Sequence, residues 1–132
     1  MKKIILCLVV IIGLFIITGC DNKTTENYNS VVISNIDKDT RWEAITSYDI
    51  TLEFENDKCV SENYRLEFVK ETNAIVYGIQ MEGQTYIENY KQEGNVVTYQ
   101  RTGTNNEFYD NTFDEAYNNA KLLYSNATIT KK

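Results

Sequence analysis

Histidine and proline are both absent from the 132 residues, cysteine occurs only three times, and 13 basic residues face 19 acidic ones. Without histidine the chain cannot assemble a Ser-His-Asp or Cys-His catalytic group, and most zinc sites lose a principal ligand. The deficit of Lys and Arg argues against nucleic acid as a partner, because phosphate binding depends on their neutralising charge and no basic cluster is present. No cofactor is expected.

What the chain does have begins at its N-terminus. Lys2 and Lys3 precede an unbroken apolar run over residues 4–17, followed by Thr18, Gly19 and Cys20. At about 1.5 Å per residue, 14 helical residues cover roughly 20 Å, short of the ~30 Å hydrocarbon core of a bilayer, so a secretory leader is expected in place of a permanent span. Ile17, Thr18, Gly19 and Cys20 resemble the lipobox of bacterial prolipoproteins, in which an aliphatic and two small residues precede an obligatory cysteine. That resemblance implies diacylglycerol on the Cys20 thiol, cleavage before it, and membrane attachment on the extracytoplasmic face. The expected division is a signal peptide over residues 1–19, a lipidated cysteine and polar tether over 20–30, and a single domain over 31–132.

Removing the leader leaves 11 basic against 19 acidic residues. This sign repels anionic headgroups, so attachment to the membrane rests on the lipid. Cys7 leaves with the leader and Cys20 becomes a thioether, leaving Cys59 without an intramolecular partner.

In the domain, Val31, Val32, Ile33 and Ile36 suggest an edge strand. Tyr48, Ile50, Leu52 and Phe54 then alternate with Asp49, Thr51, Glu53 and Glu55, the pattern of a strand with one wet face. Asn56 and Asp57 tolerate positive φ and suit a tight turn. Beyond them Val60, Glu62, Tyr64, Leu66 and Phe68 repeat the alternation, so a hairpin over about 45–69 is expected, with Cys59 partly exposed on its polar face.

Residues 71–93 carry two periodicities. Ile75, Val76, Ile79, Gly83, Tyr86, Ile87 and Tyr90 share one helical face, whereas Ile75, Tyr77, Ile79 and Met81 alternate as in a strand. A helix is favoured for the second half, beginning somewhere around Thr72, with two strands meeting at Glu82-Gly83 as the alternative. Val97 and Tyr99 suggest a further strand. Thr112 and Glu115 form a capping-box pair, predicting a helix with Phe113, Ala116, Tyr117, Ala120, Leu123 and Tyr124 on one face and a frayed tail beyond about Ser125.

The expected class is α+β, an antiparallel sheet of three to five strands with one or two helices packed on one face. In size, element order and general character, a lipobox followed by such a domain resembles the YehR-like family of small bacterial lipoproteins, a likeness that implies no particular activity.

Three candidate sites follow. Asn35, Asp37, Asp39 and Glu43 imitate the start of a calcium loop, but Thr40 stands where glycine is needed and Thr46 where a bidentate Glu is needed, so a solvated turn is expected. Paired carboxylates such as Glu53 and Glu55 lie on the wet face of a strand, with no pocket to shift them. Of the ten tyrosines, Tyr48, Tyr64, Tyr86, Tyr117 and Tyr124 fall on core faces, while Trp42, Tyr77, Tyr99 and Tyr109 are freer and offer a possible binding surface. The leading expectation is a non-catalytic envelope lipoprotein that binds a protein or glycan. A carrier of a small apolar ligand is the alternative, and an envelope enzyme comes third.

Overall fold

A computed structural model describes residues 27–37 and 44–132; Cys20 and the lipobox, Trp42, and Asp39 and Glu43 of the calcium-like run lie outside them. The fold is α+β. Strands β1 (Ser30–Ser34), β2 (Ile45–Glu55), β3 (Lys58–Phe68), β4 (Glu88–Glu93), β5 (Val96–Thr102) and β6 (Thr128–Lys131) form one antiparallel sheet in the order β4-β5-β3-β2-β1-β6. Helix α1 (Glu71–Met81) follows β3, and helix α2 (Phe113–Leu123) follows β5 and a single 3-10 turn.

The β2–β3 hairpin forms as its alternation requires, and Asn56 and Asp57 occupy the left-handed region at φ 50° and 60°. Rows of side chains then run across the sheet. Ile129, Ile33, Ile50, Tyr64 and Tyr99 stand in register on one face, and Val31, Leu52, Glu62 and Arg101 form the neighbouring row. Both helices bury small residues against this face, Ala74 from α1 and Ala116 and Ala120 from α2, so one core serves the whole domain. The other face carries Thr51, Asn63, Arg65, Thr98 and Gln100 and is left without a covering layer among the described residues.

Several expectations change. The sheet has six strands, not three to five. The additional edge comes from the C-terminal tail, expected to fray, which pairs as β6 along β1 from Ser34↔Thr128 to Val31↔Lys131. It is pinned by Asn35 Nδ2 donating to Thr128 Oγ1 at 3.2 Å and Asn126 Nδ2 donating to Asp37 Oδ2 at 2.7 Å. Asn35 and Asp37 are therefore engaged in closing the sheet, and β1 is an interior strand. Lys131 ends over the rings of Tyr117 (4.5 Å) and Phe113 (5.3 Å) and pairs with Asp114 at 3.3 Å.

Cys59 is buried, contrary to its expected exposure. The cause is a bulge: Glu53 faces Ser61 but Phe54 faces Cys59, so Val60 is an extra residue that inverts the alternation toward the turn. Across residues 71–93 the helix occupies the first half and a strand the second. The helix ends at Glu82, which is extended (φ −60°, ψ 130°), and Gly83 at φ 82° completes the turn that Gln84 closes by donating to the Met81 carbonyl at 3.1 Å, from which the chain enters β4. Helix α2 begins at Thr112 as expected, with both hydrogen bonds of the capping box present.

Candidate binding groove

The apolar face expected to bury helix α1 is the face it exposes. Ala74 and Tyr77 point into the core, while Ile75, Val76 and Ile79 are 43%, 51% and 65% exposed. Apolar residues lie almost all round this helix, so one stripe had to be left in solvent once the other was packed. Ile75 and Ile79 form one wall of a groove of about 490 Å³ whose other wall is Ile87 and Tyr90, with Glu82 at the end of the helix.

Two local features shape it. Between Glu88↔Gln100 and Lys91↔Thr98 the edge strand carries a bulge, with Asn89 at φ 52°, which turns Tyr90 and Gln92 toward the helix side. Gly78 then lets Tyr90 lie against the helix, because a Cβ at that position would collide with the Tyr90 hydroxyl. Beyond β4 no strand follows among the described residues, so the strand that lines one side of the groove with Tyr90 and Gln92 has its outer edge unpaired.

The core also holds a buried polar network. Glu62 is fully buried in β3; its Oε2 accepts from the Tyr64 hydroxyl at 3.0 Å and its Oε1 from the Glu107 amide at 3.0 Å. Arg101 Nη1 donates to the same Tyr64 oxygen at 3.1 Å and lies 3.8 Å from Glu62, while its guanidinium sits 4.9 Å from the Tyr86 ring centre. Burial pushes the Glu62 carboxyl up, against the opposing pull of Tyr64, the Glu107 amide and Arg101. Burial also raises the Tyr48 phenol to about 12 and moves Tyr64, Tyr99 and Tyr124 upward. These phenols stay protonated at neutral pH, and two of them donate to carboxylates, Tyr64 to Glu62 and Tyr124 to Glu107. With its oxygens engaged and no exposed surface, Glu62 ties β3 to the loop before α2.

The four residues expected to make an aromatic surface do not come together as one. Tyr77 and Tyr99 are buried, joined hydroxyl to hydroxyl at 3.3 Å, and Tyr99 stacks on Tyr64 with ring centres 4.6 Å apart. Tyr99 belongs to the core row of the sheet and Tyr77 to the inner side of α1, and that removes both from the surface. Tyr109 is exposed in the loop before α2, and Trp42 lies outside the described residues. The residues missed are Ile75, Ile79 and Tyr90. Their signal was the conflict of two apolar periodicities in one segment, which marks a helix with more apolar surface than one core contact can cover.

Among the described residues no helix is long and apolar enough to cross a membrane, and no group of three or more acidic or cysteine residues is placed to hold a metal ion. No family model, curated protein or solved structure matches this chain.

Proposed function

We propose that the chain is an extracytoplasmic lipoprotein, held on the membrane by lipid on Cys20, whose domain is a non-catalytic module that binds a protein partner in the groove between α1 and β4. The observation that carries this reading is the exposed apolar stripe of Ile75 and Ile79 facing Tyr90. Contiguous apolar surface of this kind is unfavourable in water and marks a contact site. A glycan partner has less support, because sugar stacking needs exposed aromatic faces and the bare polar face of the sheet carries none in its central rows.

The tether entry favours a partner away from the lipid. Residues 20–29 lead into β1, and β1 and β4 are separated by four strand steps in the sheet order, roughly 19 Å at about 4.8 Å per step. The groove is thus at the edge of the sheet four strands from the one that the tether enters. A second reading, a carrier of a small apolar ligand, is favoured by the groove volume alone, since about 490 Å³ falls within the ~300–1,000 Å³ range of ligand sites.

The experiment is cross-linking of the lipidated protein in its own membrane, comparing the native chain with Ile79→Asp. Loss of a discrete protein adduct on substitution supports the protein-binding reading. An adduct unchanged by Ile79→Asp refutes it, and extraction of a bound apolar small molecule with the native chain alone favours the carrier.

A further inference from the structure

We infer that the partner enters this groove as an extended segment added to β4 as a seventh strand, with apolar side chains at two alternate positions and a basic residue on either side of them. The inference rests on the protein-binding reading and specifies its chemistry.

The backbone supplies the first argument. The free side of β4 presents its amides and carbonyls beside the apolar groove, the arrangement in which main-chain hydrogen bonds hold a peptide while pockets select alternate side chains. The side chains supply the register. On β4, Tyr90 and Gln92 face the groove, whereas Glu88, Lys91 and Glu93 face the other way, in register with Gln100, Thr98 and Val96. The bulge at Asn89 means that four steps of a partner strand span Glu88 to Glu93. A strand laid alongside therefore has two positions over the groove, and three on the opposite face. The outer two of those three stand beside Glu88 and Glu93, where Lys or Arg forms cross-strand charge pairs, and the middle one stands beside Lys91, where an uncharged or acidic residue fits. The pattern is basic, apolar, polar, apolar, basic.

The same charges disfavour a second copy of this chain as the occupant. Antiparallel self-pairing centred on Lys91 sets Glu88 of each copy against Glu93 of the other and Lys91 against Lys91, on domains that already carry an excess of acidic residues.

The test uses the full lipidated chain in nanodiscs, with empty nanodiscs as the blank, and fluorescent peptides read by anisotropy. The probe carries the core Lys-Ile-Thr-Ile-Lys between Gly-Ser ends. Its comparators are Glu-Ile-Thr-Ile-Glu and the lysine peptide N-methylated on its ladder-facing amides. The lysine peptide is expected to bind at least about tenfold more tightly than either comparator, and Glu93→Lys, an exposed position, is expected to narrow its margin over the glutamate peptide. Equal binding of the N-methylated peptide, abolished by Ile79→Asp, would overturn strand addition while leaving the groove as a protein-binding site. Absence of binding by the lysine peptide, or a concentration-dependent dimer dissolved by Ile79→Asp, would overturn the inference.

Discussion

The Tyr64 hydroxyl donates to the fully buried Glu62 carboxylate at 3.0 Å while accepting from Arg101 at 3.1 Å, so one phenol oxygen links the acid to its counter-charge. Removing the acid strands two hydrogen-bond donors, the phenol and the Glu107 amide, and takes from the guanidinium its counter-charge. Glu62→Ala is expected to destabilise the domain by about 3 kcal/mol at neutral pH, because stranding buried donors costs more than the net value of the bonds they made. Urea unfolding followed by tyrosine fluorescence checks this. A loss below about 0.5 kcal/mol would mean that the network is incidental to stability.

The same carboxyl sets a pH dependence. Burial raises it above the ordinary carboxyl range in the folded state, which therefore favours the protonated form. The resulting contribution to stability is complete below the ordinary carboxyl range and is lost as pH rises through the raised value. Glu115 acts in the opposite sense, its carboxyl being lowered by the Thr112 amide and hydroxyl, so the informative quantity is a difference between variants. Glu62→Gln is expected to gain stability relative to the native chain as pH increases from 4 to 8. A difference that stays constant over this range would contradict the raised value.

Strand β6 covers the outer edge of β1, whose Val31 and Ile33 are fully buried. Deleting residues 128–132 removes that ladder and uncovers the backbone of an apolar strand. The truncated protein is expected to lose about 2–3 kcal/mol and to aggregate on concentration. Thermal unfolding and light scattering measure the two effects, and a truncated chain as stable and as monomeric as the native one would show β6 to be dispensable.

How much of this was legible in the sequence differs from element to element. The hairpin and α2 were readable because their signals are local: strict alternation beside Asn56-Asp57, and the reciprocal Thr112–Glu115 cap. Strand β6 was not, because Thr128, Ile129, Thr130 and Lys131 acquire a strand's meaning only beside β1, almost a hundred residues earlier. Cys59 was assigned the wrong face because alternation carries no information about an inserted residue, and Val60 is such an insertion. For α1 the apolar positions were identified, but amphipathicity cannot choose between two apolar stripes. Ala74 and Tyr77 won the core because a small residue admits close approach and Tyr77 reaches Tyr99. The groove is what the losing stripe became, and the candidate surface of Tyr77 and Tyr99 disappeared by the same choice.

Cys59 offers a direct probe of the bulge. Its thiol is buried, flanked by the Asn106 amide at 3.4 Å, and burial pushes its pKa upward. Since thiolate is the reactive form, the folded protein is expected to react with an aromatic disulfide reagent only at the rate of unfolding, and rapidly once denatured. Fast reaction of the native chain would place Cys59 at the surface and contradict the inverted register.

The central claim is that an anchored domain meets its partner through the stripe that α1 leaves exposed. The direct measurement is cross-linking in intact membranes of three chains: native, Ile79→Asp, and Leu122→Asp as a control at an exposed apolar position of α2. All three are expected to fold with stabilities within about 0.5 kcal/mol of one another, since both substitutions are at the surface. The native and Leu122→Asp chains are predicted to give the same protein adduct and Ile79→Asp to lose it. An adduct that survives Ile79→Asp, or that Leu122→Asp removes to the same degree, would contradict the account.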